Sequence, residues 1–131
     1  MNTKLDKILA EISAGELIDK ITILEIKKVK IKNKDKLTEI EKELLSLNET
    51  MKQFIPDNSK ISKFKDDLKN INLKLWDIED GKRSAEKNND FGEKFIELAR
   101  NVYKFNDERA KIKLAINNAL GSNVKEVKSY E

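Results

Sequence analysis

The chain contains neither cysteine nor histidine. Disulfides, thiol nucleophiles, Ser-His-Asp triads, imidazole acid-base groups and the common types of zinc site are therefore all excluded. Any catalysis would have to use Asp, Glu, Lys, Tyr or Arg side chains, or a Mg²⁺ or Mn²⁺ ion held by oxygen atoms. Enzyme classes that use cysteine or histidine in catalysis are thus excluded by composition alone.

Long apolar segments are also absent, since no run approaches the roughly 18 residues that a transmembrane helix needs. Residues 1–6 are polar and carry charges of both signs, unlike the start of a secretory signal. A length of 131 residues is typical of one domain. We expect a soluble, cytoplasmic protein that does not enter a membrane.

Arginine is scarce, because Arg83, Arg100 and Arg109 are the only three among 27 basic residues. The planar guanidinium can bind a carboxylate or phosphate through two hydrogen bonds, which a lysine cannot do. Arg83 has a simple explanation in Glu79, which stands four residues earlier and suits a surface ion pair. Arg100 and Arg109 are therefore the best indication of a functional or structural polar site.

Lysine is abundant, with six residues between positions 27 and 36. Such a run could bind phosphate or nucleic acid. It also suits the C-terminus of a helix, where cations complement the helix dipole. No arginine and no aromatic residue interleaves the run, and this disfavours nucleic-acid binding.

Apolar residues spaced by three and four predict helices over most of the chain. Two such series flank the single proline, Pro56, and we interpret them as the two seams of an αα-hairpin. A third series runs towards Gly121, which suits a left-handed helix end. The first two seams comprise Leu37, Ile40, Leu44, Leu47, Met51 and Ile61, Phe64, Leu68, Ile71, Leu75, Ile78.

Several residues have the types and spacings that start helices. Ser13 with Glu16, and Asp90 with Glu93, match the capping box. Ser59 is placed to cap the helix after Pro56. The apolar stepping of the first helix slips at residues 33–35, where Asp35 could cap a new helix.

These patterns predict an all-α fold, an antiparallel bundle of three long helices of which the first is kinked or broken near residues 33–35. Residues 56–58 and 87–89 are the expected connections. We assign residues 1–121 to a single helical domain and residues 122–131 to a mobile or docked tail. Residues 3–11 form either a short helix through Leu5, Ile8 and Leu9 or a β-like segment.

Five segments of the sequence resemble a domain-of-unknown-function family of small helical bacterial and phage proteins. They are SAGELIDKITILEIK at 13–27, LWDIED at 75–80, FIELARNVY at 95–103, NDERAKIK at 106–113 and KSY at 128–130. Members of the family tend to have proline after the first serine, where this chain has Ala14. The resemblance implies a small helical protein and implies no particular activity.

The last helix carries a second, polar seam beside its apolar one. The candidate ligand-binding residues of this helix are Arg100, Tyr103, Asn106, Arg109 and Lys113, of which Arg109 falls within the apolar seam itself. Trp76 is a possible stacking surface beside them. No carboxylate lies three or four residues from Arg109 on its own helix. Its partner must therefore be a residue of another helix or a ligand. The structural alternative is a buried salt bridge to a residue such as Glu25 or Glu79.

A weaker alternative is a Mg²⁺ site formed by Glu16, Asp19, Glu79 and Asp80. Helical nucleotide pyrophosphohydrolases hold Mg²⁺ with carboxylates in this way, although here Glu16 and Asp19 also suit a helix N-terminus. Helical chorismate mutases also build their pocket from long helices and bind two carboxylates through Arg and Lys. They normally present an arginine from their first helix, where this chain has only lysines.

The sequence favours a non-enzymatic helical interaction or assembly module with coiled-coil seams, which forms a homo-oligomer, most simply a dimer, and needs no cofactor. The alternative is a binder of an anionic, phosphorylated small molecule, or a Mg²⁺-dependent enzyme acting on one, through the polar seam. An enclosed cavity in that seam would favour the alternative, and a seam filled by its own side chains would favour the interaction module.

Overall fold

The computed structural model describes residues 4–125 and 127. They form four helices, α1 (Ala14–Lys30), α2 (Lys34–Phe54), α3 (Ser59–Lys87) and α4 (Glu93–Leu120), and the described residues include no strand. The predicted all-α class is confirmed, but the count of three helices is wrong. None of the described helices is long and apolar enough to cross a membrane.

The additional helix arises because the predicted break is complete. Backbone angles at Ile31 and Asn33 are extended, so α1 ends and α2 begins within three residues. Asn33 is the N-cap of α2, since its side-chain oxygen accepts a hydrogen bond from the Lys36 amide at 3.0 Å. Asp35, the predicted cap, lies in the first turn of α2 instead. A negative charge there interacts favourably with the helix dipole.

Two predicted helix ends are confirmed. The Ser13 hydroxyl accepts a hydrogen bond from the Glu16 amide at 3.1 Å at the start of α1. Gly121 ends α4 in the left-handed region, at φ 61° and ψ 42°, a conformation that costs glycine little because it lacks a Cβ atom.

Two other predicted caps are wrong. Asn58 rather than Ser59 caps α3, through a hydrogen bond of 2.9 Å from the Ile61 amide to its side chain. At the start of α4 the N-cap is Gly92, and the Asp90 carboxylate accepts from the Gly92 amide at 3.3 Å without reaching the helix. Where two nearby residues can both act as the N-cap, the path of the connecting loop determines which of them caps the helix.

Helix α1 lies at the centre of the fold. It packs against α2 on one side and against both α3 and α4 on the other, while α3 and α4 pack along each other as a long hairpin. Two clusters of buried side chains form the core. One joins α1 to α2 through Leu17, Ile21, Leu24, Ile40 and Leu44, and the other joins α1, α3 and α4 through Ile18, Ile61, Leu68 and Ile116.

The predicted hairpin of α2 with α3 is therefore wrong. The apolar seam of α2 faces α1, and the seam of α3 faces α1 and α4. Only the end of α2 approaches the second cluster, through Met51 and Ile55. An apolar seam indicates that a helix is buried on one face, but it does not specify the partner.

The segments outside the helices meet at one end of the molecule. Residues 4–13 have no regular secondary structure, so neither form predicted for residues 4–11 occurs. Asn123 donates a hydrogen bond of 2.7 Å to the Glu11 carboxylate, and Ser122 accepts one of 3.2 Å from the Ala14 amide. The start of the predicted tail thus contacts the start of α1, while residues 128–130 lie outside the described residues.

Two adjacent leucines of α2 provide a test of this packing. Leu44 is 9% exposed and Leu45 is 63% exposed. Replacing Leu44 with Ala should lower the free energy of unfolding by about 2 to 5 kcal/mol, because it leaves a cavity against α1. The matched change Leu45→Ala should cost less than about 0.5 kcal/mol. Equal losses in urea denaturation of the two variants would show that α2 packs through a different face.

Candidate functional site

Asp19 carries a carboxylate that is completely buried in the middle of the fold, with 0% of its surface exposed. Arg109 of α4 binds it through two hydrogen bonds. The Arg109 Nε donates to Asp19 Oδ1 at 2.9 Å, and the NH2 group donates to Oδ2. Both oxygens of the buried carboxylate are therefore engaged by one guanidinium, the geometry that arginine allows and lysine does not.

Helix α3 contributes to the same site through Asn72. The Asn72 amide donates to Asp19 Oδ1 and to the Thr22 hydroxyl, both at 2.9 Å. Thr22 in turn donates to the backbone oxygen of Asp19 at 2.7 Å. All three residues are buried, so the network joins α1, α3 and α4 where water cannot substitute for a missing partner.

A second ion pair lies next to the first. Lys113 Nζ is 2.7 Å from Glu16 Oε2 and 3.7 Å from Asp19 Oδ2. Glu16 and Asp19 are three residues apart on α1, and Arg109 and Lys113 are four apart on α4. The antiparallel helices therefore match two acids with two bases, and this pairing sets their register.

Gly15 allows the two helices to come this close. Its amide donates to the side-chain oxygen of the buried Asn117 at 2.7 Å. A Cβ atom at position 15 would lie 2.5 Å from the backbone oxygen of Lys113, well inside van der Waals contact. Only glycine fits here, and the ion pairs depend on this approach.

The structure brings some of the predicted site residues together and separates others. Arg109 and Lys113 bind the acids of α1, and Asn106 accepts a long hydrogen bond of 3.4 Å from Arg109. Arg100 and Tyr103 are exposed on α4, outside this cluster. Trp76 is half-buried on α3.

The carboxylate partner suggested for Arg109 was wrong. Glu25 pairs instead with Lys65 at 3.2 Å and Lys69 at 3.5 Å, and Glu79 pairs with Lys82 at 3.6 Å. From its position in the sequence, Asp19 suits a first-turn charge or a metal ligand. The sequence held one usable signal, since Asp19 stands between Ile18 and Ile21 on the buried side of α1.

Asn72 and Thr22 were missed altogether. Asn72 stands next to Ile71 in an apolar seam, and such a polar residue requires a buried partner. Neither the acid in α1 nor the amide in α3 identifies the other as its partner from sequence alone. The tertiary structure is needed to bring them together.

The four acids proposed for Mg²⁺ are divided between two places. Glu16 and Asp19 bind cations of α4, whereas Glu79 and Asp80 are exposed on α3. Within residues 4–125 and 127, no group of three or more acidic side chains is arranged to hold a metal ion.

A groove of about 330 Å³ lies beside the ion pairs, where α1, α3 and α4 meet. Its walls combine apolar and charged side chains, and Arg109 lines it from the side of the network. We call it the Trp76 groove. It is lined by Ile23, Ile26, Asn72, Leu75, Trp76, Glu79, Asp80, Arg83, Asn106 and Arg109.

Comparison with known proteins gives a family and no relative of established function. A model of the family of unknown function DUF6165 matches residues 8–131. The chain belongs to DUF6165. No curated protein and no solved structure shows significant similarity to it.

In this DUF6165 chain, three of the five segments that carry the sequence resemblance meet around one place. Apart from Asn72 and Arg83, the residues lining the Trp76 groove belong to the segments 13–27, 75–80 and 106–113. The buried ion pairs belong to the first and the last of these. The ion pairs and the groove are therefore the candidate functional site.

The close approach of α1 and α4 at Gly15 can be tested by adding one methyl group at this position. Gly15→Ala should destabilise the protein by about 1 to 3 kcal/mol, because the helices must separate to admit the Cβ atom. Gly92→Ala is the control, since its Cβ would meet only an Asp90 oxygen at 3.6 Å. The prediction fails if thermal denaturation finds Gly15→Ala as stable as the wild type.

The buried ion pair predicts how Arg109 responds to substitution. Arg109→Met should cost about 3 to 5 kcal/mol, because it leaves the Asp19 charge buried without its main partner. Arg109→Lys should be nearly as harmful, since lysine keeps the charge but loses the paired hydrogen bonds.

Arg100→Met on the exposed face of α4 is the matched control, and it should change stability by less than about 0.5 kcal/mol. Urea denaturation of the three variants measures these differences. Wild-type stability of Arg109→Lys would mean that the guanidinium geometry is unimportant.

Proposed function

We propose that this protein is a non-enzymatic helical interaction module that self-associates as a homodimer. The observation that carries the proposal is that two cations of α4 are paired with acids of α1. Arg109 and Lys113, two of the candidate residues of α4, bind the buried Asp19 and the half-buried Glu16 of α1 in the same chain. These cations, which the sequence offered either to a ligand or to a structural salt bridge, thus hold helices in register, as expected of a scaffold.

The charges around the Trp76 groove also favour a protein partner. Glu79 and Asp80 are negative and Arg83 is positive, while the charge of Arg109 is offset by Asp19. The two carboxylates at this rim would repel the negative charge of a phosphorylated molecule. A protein surface with apolar side chains and charges of both signs matches it better.

The exposed apolar side chains support self-association. Leu5, Ile8 and Leu9 are 76%, 83% and 87% exposed, and they are close together in the sequence. Isolated exposed leucines are normal on a protein surface, but three large apolar side chains within five residues favour an interface that covers them. Homodimers are the commonest form of such assembly.

A second candidate function is a binding site, with or without Mg²⁺, for an anionic phosphorylated small molecule. One observation favours it, because Arg83 and Arg109 line the same groove as Trp76, and this combination can hold an anion next to an aromatic ring. The carboxylates of Glu79 and Asp80 in the same groove count against it.

Two measurements separate these functions. Light scattering at tens of micromolar protein should return about twice the monomer mass of 15.2 kDa. Thermal-shift measurements with phosphorylated metabolites, with and without Mg²⁺, should leave the melting temperature unchanged. A monomer mass at all concentrations would contradict the homodimer, and a stabilising shift that Arg83→Met abolishes would favour the second candidate.

A further inference from the structure

Five lysines surround the short connection between α1 and α2. Residues 28–36 include the end of α1 and the start of α2, and their only acid is Asp35. Five positive charges and one negative charge give these nine residues a net charge of +4, although the whole chain carries only +3. We call residues 28–36 the lysine tip. Its basic residues are Lys28, Lys30, Lys32, Lys34 and Lys36.

The lysine tip lies at the outer end of the hairpin that α1 forms with α2. No residue from Lys28 to Glu39 is buried, and all five lysines are exposed. Ile26 is the last residue of α1 that lines the Trp76 groove. The start of α2 packs against α1 alone among the described helices. The tip is therefore not covered by α3 or α4.

The helix dipole accounts for only part of this charge. Lys28 and Lys30 lie in the last turn of α1, where cations interact favourably with the dipole. Lys34 and Lys36 lie in the first turn of α2, where the dipole is positive and a cation is unfavourable. The break between the two helices thus removes the simple structural explanation from the second half of the lysine run.

Ion pairs do not neutralise the tip either. Within residues 4–125 and 127, none of its five lysines forms an ion pair. Asp35 lies between Lys34 and Lys36, and Glu39 stands three residues beyond Lys36, yet neither acid is paired with a lysine of the tip. A local excess of positive charge that the protein leaves unpaired attracts an anionic partner.

The residue types at the tip favour a lipid surface over nucleic acid. Nucleic-acid sites usually combine arginine with aromatic side chains that stack on bases, and the tip contains neither. Val29, between Lys28 and Lys30, is 71% exposed. An apolar side chain flanked by lysines suits the boundary between headgroups and acyl chains. There the lysine stems lie along apolar surface while their ammonium groups reach the phosphates.

We propose that the lysine tip binds the anionic headgroup surface of a lipid bilayer. Clusters of about four to eight basic residues are typical of segments that bind acidic phospholipids, and the tip has five. The contact needs no spanning helix, and the described residues form none. The inference concerns a different surface from the Trp76 groove, and it does not depend on self-association.

The first experiment measures binding to vesicles by sedimentation. The protein should sediment with vesicles of equal parts phosphatidylglycerol and phosphatidylcholine, and it should stay in solution with vesicles of phosphatidylcholine alone. Raising the salt to about 1 M should release it, because the Debye length then falls to about 3 Å. Equal binding to the two kinds of vesicle would show that the charge of the tip does not drive the contact.

The second experiment removes charge from the tip. Lys30→Gln/Lys32→Gln/Lys34→Gln should weaken binding to the anionic vesicles about a hundredfold, since each lysine near such a surface contributes about a factor of five. The variant should melt like the wild type in circular dichroism, because the three side chains are exposed and form no ion pair within the described residues.

The matched control removes the same charge elsewhere. Lys42→Gln/Lys52→Gln/Lys60→Gln replaces three exposed lysines of α2 and α3 outside the tip. It should weaken binding less than about threefold, because charges farther from the membrane are screened by salt. Equal losses in the two triple variants would mean that net charge, and not the tip, sets the affinity.

The third experiment reports which part of the protein meets the lipid. The chain contains no cysteine, so Val29→Cys can carry a single polarity-sensitive dye. Anionic vesicles should shift its emission to shorter wavelength as the dye reaches the apolar boundary. Leu45→Cys is the matched control, since Leu45 is 63% exposed on α2 outside the tip, and its dye should not respond.

Double-stranded DNA is the probe for the competing partner. At the same phosphate concentration, DNA should bind the protein more weakly than the anionic vesicles do. Tighter binding to DNA, lost in Lys30→Gln/Lys32→Gln/Lys34→Gln, would assign the tip to nucleic acid and overturn the proposal. Vesicle binding that leaves the dye at position 29 unshifted would overturn it as well. Neither result would bear on the homodimer, which light scattering measures without lipid.

Discussion

The buried carboxylate of Asp19 is the constraint on which the rest of the structure depends. An ionised group in the interior costs several kcal/mol unless charged and hydrogen-bonding partners surround it. Arg109 supplies two hydrogen bonds and Asn72 supplies a third. Helices α3 and α4 must therefore both meet α1 at this point, and few other arrangements of the same helices would satisfy the charge.

The network is better understood as a determinant of register than as a source of stability. The Coulomb attraction of a buried pair is largely offset by the loss of hydration, so an apolar core could be equally stable. An apolar core, however, would tolerate a shift of α4 along α1 by one turn. The ion pairs of Arg109 with Asp19 and Lys113 with Glu16 do not, and the same register places Arg109 in the wall of the Trp76 groove.

Sequence patterns predicted the helical class, the break after α1 and the end of α4 at Gly121, because spacing, capping and glycine conformation are local properties. The scarcity of arginine correctly directed attention to Arg109. Arg100 meets the same criterion but is exposed on α4. The scarcity of a residue type marks candidates, but it does not distinguish a buried helix face from an exposed one.

The sequence by itself determined which segments are helical and which face of each is apolar. Only the tertiary structure decided that α2 packs on α1 rather than on α3, and that Asp19 rather than Glu25 or Glu79 binds Arg109. These pairings join residues up to 90 positions apart. They depend on the relative placement of helices, which apolar periodicity leaves open because one apolar seam can pack against almost any other.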